Sequence, residues 1–308
     1  MATTAVANPD RLAGLRSRRS DVAGVVFQIL LLLGLLVSLL ILVILLADVF
    51  QRGWSVLSDR GEEFLTSNLS ARASRAGVWQ GIYGTILIAG FVMVLAFPIG
   101  IATAVYIEEY ASDSRLTRFI NVNIRNLAGV PSVVYGILGL AIFVTGIPRI
   151  TGGASVISGG ITVAILVLPI VIITTAEALR AVPQSIREAG FGVGGTQWDV
   201  IRRLVLPSAA PGILTGTVLS LSRAIGETAP LILVGAVSGF FATGNQNFFE
   251  QLQGSFTALP MIIFTWSRQP SADFRELTAA AIIVLLFITL LANAAAIVLR
   301  DRYARRQA

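Results

Sequence analysis

The chain has 308 residues, of which 55% are hydrophobic and only 13% charged, with a formal net charge of +6 and a mean hydropathy of +0.80. A soluble domain carries about a quarter of its residues as charges, so the composition excludes soluble globular classes and describes a polytopic membrane protein. With 0 Cys, 0 His and Arg as the residue type at all 23 basic positions, the chain has no thiol or imidazole catalyst, no disulfide, no Cys/His metal site and no lysine-dependent phosphate loop.

No metal or cofactor is therefore expected, and any ATP is hydrolysed by another chain. The arginines sit beside apolar runs, the pattern of membrane flanks rather than of a nucleic-acid surface. Residues 1–20 read as a disordered cytoplasmic tail. The first apolar run, Val22 to Ala47, is too long for a signal peptide and lacks a small-residue cleavage site, so it reads as a retained helix. Asp48 to Arg75, with Trp54, Glu62 and Glu63, reads as an external segment. Further runs follow at Ala76 to Ile107, Asn126 to Pro148 and Ile150 to Ala176, then at about Pro211 to Val237, and last at Leu277 to Leu299. Each is long enough as helix to cross about 30 Å of hydrocarbon. Trimmed to helices, the six spans fall at about 22–47, 79–105, 127–147, 157–180, 211–237 and 277–299, with a short tail at 301–308. Gln251 to Ser267 is short, polar at its start and broken by Pro260, so it reads as a re-entrant or interfacial segment. The expected fold is all-α with six transmembrane helices. Under six crossings, fifteen arginines fall on one side and seven on the other, leaving Arg223 within a span. The positive-inside rule then places both termini in the cytoplasm.

The loop between the fourth and fifth spans, about 183–210, contains SIREAGFGVGGTQWDVIRRLVLPSAAPG. Pro183 opens a short helix that ends by Gly190, and Gly192, Gly194 and Gly195 form a corner. Thr196 with Asp199 resembles a capping box for a second helix, which Pro207 stops. Trp198, Ile201 and Leu204 share a face of that second helix. Composition alone favours reading this loop as an amphipathic segment lying on lipid headgroups.

The fifth span carries SRAIGETAPLI, with Arg223 and Glu227 four residues apart on one helical face. A charge at that depth costs a few kcal/mol and faces a partner or a watery path. Two readings are open. In one, the pair is mutual compensation at a helix interface. In the other, the planar guanidinium receives an oxyanion and Glu227 holds Arg223 when the path is empty. Glu177 and Arg180, three residues apart at the end of the fourth span, form a second such pair, either lining an exit or supporting the loop. Pro131, Ser132 and Tyr135 read as packing and kink residues.

Glu188, Ala189 and Gly190, then Gly194, then Leu204, Leu206 and Pro207 resemble the E-A-A, three residues, G, nine residues, I-x-L-P signature of ABC importer permeases. Gly190 stands where that family has Ala, and Leu204 where it has Ile. The resemblance implies a type I importer permease fold whose loop forms coupling helices that dock on an ATPase subunit, with those seven residues in the coupling segment. NLAGVPSVVYG at 126–136, AEALRAVP at 176–183 and SRAIGETAPLI at 222–232 resemble the phosphate-specific permeases, the last stretch their A-type subunit. This resemblance covers the chain from about residue 20 onward. It implies a transport subunit of the bacterial plasma membrane that imports inorganic phosphate and is not itself an enzyme. The implied partners are a homologous C-type permease, two ATPase subunits, an extracytoplasmic phosphate-binding protein and membrane lipid. Another oxyanion such as sulfate is the nearest alternative cargo. A secondary transporter would show similar halves, which are absent from the sequence, and no kinase or receiver motif marks a sensory subunit.

Overall fold

The computed structural model describes residues 22–237 and 247–305. The expected tail at 1–20 and the last three residues lie outside that range. Among the described residues every regular element is helical. The chain divides into two compact units, Met1–Val49 and Phe50–Ala308.

The first helix, α1 (Val22–Thr66), begins in the first unit, where every large apolar side chain from Val25 to Leu46 is exposed. A helix that is apolar on all sides has hydrocarbon as its natural solvent. The second unit holds the remaining elements. They are α2 (Trp79–Tyr110), α3 (Arg115–Ala128), α4 (Ser132–Gly146), α5 (Val156–Arg180), α6 (Gln184–Gly192), α7 (Gln197–Gly226), α8 (Ala229–Leu233), α9 (Phe248–Gln253), α10 (Leu259–Ser267) and α11 (Ala272–Arg305). Five of these helices, α1, α2, α5, α7 and α11, are long and apolar enough to cross a membrane, and the bent pair α3–α4 makes six.

Two expectations change. The apolar run expected as one helix at 127–147 is instead the end of α3 and all of α4, which meet at 99°. Gly129 and Pro131 lie at the corner, and proline disfavours helical backbone in the residue before it. Tyr135 donates its hydroxyl to the Leu127 carbonyl at 2.9 Å, a second bond on an acceptor that also takes the Val130 amide at 3.1 Å, so the corner is tied from both sides. Pro207, expected to stop a helix, lies inside α7. The preceding turn, Ile201–Val205, is a π turn, and its wider coil makes room where a proline would otherwise strike the carbonyl four residues back. The α10 helix, at nine residues, rises only about 14 Å, too short to cross a bilayer. Its Leu259, Ile262 and Trp266 are buried with Phe64 and Phe274.

Helix α5 is the most buried of the long helices and the centre of the second unit. Hydrocarbon offers no hydrophobic drive to bring helices together, so close packing through small residues supplies it. A Cβ on Gly100 of α2 would stand 2.7 Å from the Val171 side chain. Gly212 and Gly216 form a GILTG stripe on α7: a Cβ there would come 2.8 Å from the Ala178 Cβ and 2.5 Å from the Thr174 Cβ. On its other side α7 meets α11, where the Ser222 hydroxyl donates to Asn293 Oδ1 at 2.6 Å.

Gly216→Val forces α7 off α5 and should cost about 1–3 kcal/mol, as overpacking does. Thermal unfolding in detergent should show a lowered midpoint. Gly90→Ala, where a Cβ meets nothing within 4 Å, should leave it unchanged or slightly raised.

Candidate functional site

Helix α7 ends at the exposed Gly226, and Glu227 leaves it with extended backbone (φ −74, ψ 121). Pro230, near the start of α8, lacks only a donor that a helix N-terminus would leave unpaired. Across this break Arg223 Nε donates to Glu227 Oε1 at 3.2 Å. The arginine side chain is 46% exposed and the glutamate 16%, so the cation stands out from the packed helices while its partner is held against them. Ser222, bonded to Asn293, fixes the helix one residue earlier.

Tyr135 lies within electrostatic range of Arg223. Nearby, a Cβ on Gly136 would sit 2.7 Å from the Pro230 Cα, so α4 and α8 touch backbone to backbone. The stretches NLAGVPSVVYG and SRAIGETAPLI, ninety residues apart, therefore meet at one place. Tyr135 contributes by closing the α3–α4 corner, a packing role.

The loop is built as two helices at a glycine corner. Gly194 has φ +82, a left-handed conformation that favours glycine, while a Cβ there would meet nothing within 4 Å. Gly190 is needed for space instead. A Cβ would lie 2.7 Å from Leu204 Cδ1 and 2.8 Å from Val200 Cγ2, which explains the smaller residue at this position. Thr196 caps α7 by accepting from the Asp199 amide at 3.2 Å. Ile201 is buried, Leu204, Leu206 and Pro207 are half-buried, and Trp198 is exposed, so the expected common face is split between core and surface. Glu188 and Ala189 are exposed on α6.

Arg180 finds a different partner from the one its spacing suggested. Its guanidinium makes a two-point pair with Glu108, Nε to Oε2 at 2.8 Å and Nη2 to Oε1 at 2.5 Å. Glu177 is exposed one turn earlier and adds only a longer-range attraction. Arg187 makes a matching pair with Glu109 at 2.7 and 3.3 Å, and also donates to the carbonyls of Val182 at 2.8 Å and Leu179 at 3.0 Å. Those carbonyls lie at and just past the end of α5, where a helix leaves acceptors free. Glu108, Glu109 and Gln197 thus belong to the site although spacing did not single them out. The available signal was the Glu-Glu pair closing the second apolar run on the side that carries Arg180 and Arg187. No group of His, Cys, Asp and Glu among the described residues is arranged to hold a metal.

The family described as binding-protein-dependent transport system inner membrane components matches residues 96–307. Phosphate transport system permease protein PstA 1 of Mycobacterium tuberculosis is 34% identical over 266 residues, covering 85% of this chain and 84% of that protein. Phosphate transport system permease protein PstA of Pasteurella multocida is 34% identical over 218 residues, covering 70% and 74%. Among solved structures, a bacterial ABC transporter involved in the import of the acidic polysaccharide alginate superposes with a TM-score of 0.63 at 15% identity, covering 91% of this chain and 98% of that one, a likeness of fold.

Arg187→Ala leaves the Glu109 carboxylate buried without its partner, a loss of about 3–5 kcal/mol for a broken buried pair. Arg203→Ala removes an exposed contact with Asp199 and should leave stability unchanged. Parallel thermal melts of the two variants check the contrast.

Proposed function

The chain belongs to the family of binding-protein-dependent transport system inner membrane components, and from that membership we propose that it is a membrane-spanning subunit of an ATP-driven importer of inorganic phosphate. It is a multi-pass inner-membrane protein with the type I ABC importer permease fold, a transport component rather than an enzyme. A subunit of this kind works with a partner permease and an ATPase. In the proposed assembly the partner permease is the homologous C-type chain, two ATPase copies dock on the loop around Glu188, Gly194 and Pro207, and an extracytoplasmic phosphate-binding protein delivers the ion.

The observation that carries this reading is the Arg223–Glu227 pair at the broken end of α7, with the guanidinium turned outward. In a two-permease assembly that outward side lines the path. The planar guanidinium offers two parallel donors to adjacent phosphate oxygens and keeps its charge where water is scarce. Glu227 competes for the same donors, so binding stays weak enough for release. The carboxylate also supplies an acceptor for the proton that phosphate carries near neutral pH, and sulfate has no such proton to donate. Arginine alone does not separate the two ions, and the pair does. Glu177 and Arg180 lie at the opposite end of α5 from its N-terminus and serve the loop rather than the ion.

Arg223→Gln, in the purified complex in vesicles, should reduce ATP-dependent uptake of labelled phosphate at least about tenfold while assembly and ATP hydrolysis persist, since one charge-assisted contact is worth about 1.5–3 kcal/mol. Full uptake by that variant would return the pair to helix packing, and wild-type uptake of sulfate would move the cargo.

Orientation is tested independently, because the chain has 0 Cys. In Val193→Cys, at a loop side chain 88% exposed, a membrane-impermeant maleimide should label inverted vesicles and not right-side-out cells. Labelling of intact cells alone would reverse the proposed topology.

A further inference from the structure

The end of α2 is tied to the loop more firmly than a chance surface contact requires. Glu108 and Glu109 are consecutive on the π turn Tyr106–Tyr110, and each meets a separate arginine through a two-point pair. The outer pair, Arg180–Glu108, is half open, with the arginine 47% exposed. The inner pair, Arg187–Glu109, is shielded at 15% and 8%. A third tie comes from α7 itself, whose first residue, Gln197, donates Nε2 to the Glu109 carbonyl at 2.5 Å. These groups border a cavity of about 600 Å³, into which Phe191 and Pro183 also face. Two adjacent carboxylates on one turn repel each other. Holding them side by side is stable here because each has its own cation, and a guanidinium fork fixes direction as well as distance.

We propose that these two pairs form a clamp, Arg187 from the loop and Arg180 from the end of α5, that makes the loop and the end of α2 move as one piece, so that displacement of the loop by the ATPase is delivered to a span other than the two the loop connects. The clamp rests on the importer reading above. Glu108, Glu109, Arg180 and Arg187 are positioning residues: they touch neither ion nor nucleotide. The inner pair sets the geometry, because its burial and its bonds to the Leu179 and Val182 carbonyls leave Arg187 little freedom. The outer pair, open to water on its arginine side, limits rocking about the inner one. Loop movement then reaches α5 through the backbone and α2 through the clamp, and both helices reach the packed centre of the unit.

The test is the number of phosphate ions carried per ATP hydrolysed by the full complex in vesicles. Arg187→Gln and Glu109→Gln should each lower that ratio about tenfold, within the range by which contacts along a coupled element change coupling, while ATP hydrolysis continues. The double exchange E109R with R187E restores a pair of opposite sign and should recover the ratio to within about threefold of wild type. A purely structural role would lower assembly and hydrolysis together and leave the ratio unmoved. Single variants with the wild-type ratio, or an exchange no better than the singles, would overturn the clamp. If the inner-pair singles do not assemble, Arg180→Gln decides, since the side chain it replaces is half exposed and Glu108, at 14%, is less shielded than Glu109 at 8%: a lowered ratio supports the clamp and an unchanged ratio overturns it. A wild-type complex that hydrolyses ATP without moving phosphate removes the importer reading and the clamp with it, and that result appears before any variant is compared.

Discussion

A helix that stops leaves backbone carbonyls without partners, and in or beside hydrocarbon no bulk water compensates for them. Much of this molecule's detail follows from that constraint. The end of α3 is tied by the Tyr135 hydroxyl, the end of α5 is closed by Arg187, and the end of α2 by the Gln197 amide. Each closing side chain comes from a different element, so finishing one helix fixes where another begins. The kink of α1 at Arg60 obeys the same rule, its guanidinium taking the carbonyls of Ala73, Ser74 and Ala76. Polar side chains act here as joints between helices, and the apolar surfaces only have to fit.

Fit is provided by small residues around α5. Gly100, Gly212 and Gly216 bring α2 and α7 into close contact with its side chains Val171, Ala178 and Thr174, which places the broken end of α7 beside α4 and α8. At that break Glu227 is shielded by the packed helices and Arg223 stands half exposed beside it. Two fully buried charges would carry a desolvation cost that their attraction seldom repays. In the two-permease assembly proposed above, an outward arginine would keep access to water or to an anion.

What the sequence disclosed follows from the range of the interactions. The spans were legible because hydrophobic runs are local. Arg223 with Glu227 was legible because a helix joins residues four apart by its own geometry. The cap at Thr196 was legible for the same reason. Glu108 and Glu109 were not, since they meet arginines 72 and 78 residues away and only the packing of α2 on α5 brings them together. At the α3–α4 corner the kink at Pro131 was legible, and its 99° size was not, because counting apolar residues carries one helix straight through it. Pro207 was misjudged because the stopping rule assumes a regular α-helix, and the π turn before it supplies the missing space.

That π turn has a mechanical consequence. Because it carries the chain through Pro207 without a break, α7 runs 30 residues from the loop to Gly226, about 45 Å of unbroken helix. Such a helix acts as a lever. Pivoting about its middle, where Gly212 and Gly216 rest on α5, a tilt of about 5° swings each tip by about 2 Å, and the two tips travel in opposite directions. A push at Gln197 would therefore arrive at Arg223 as a pull, with no intermediate joint to absorb it.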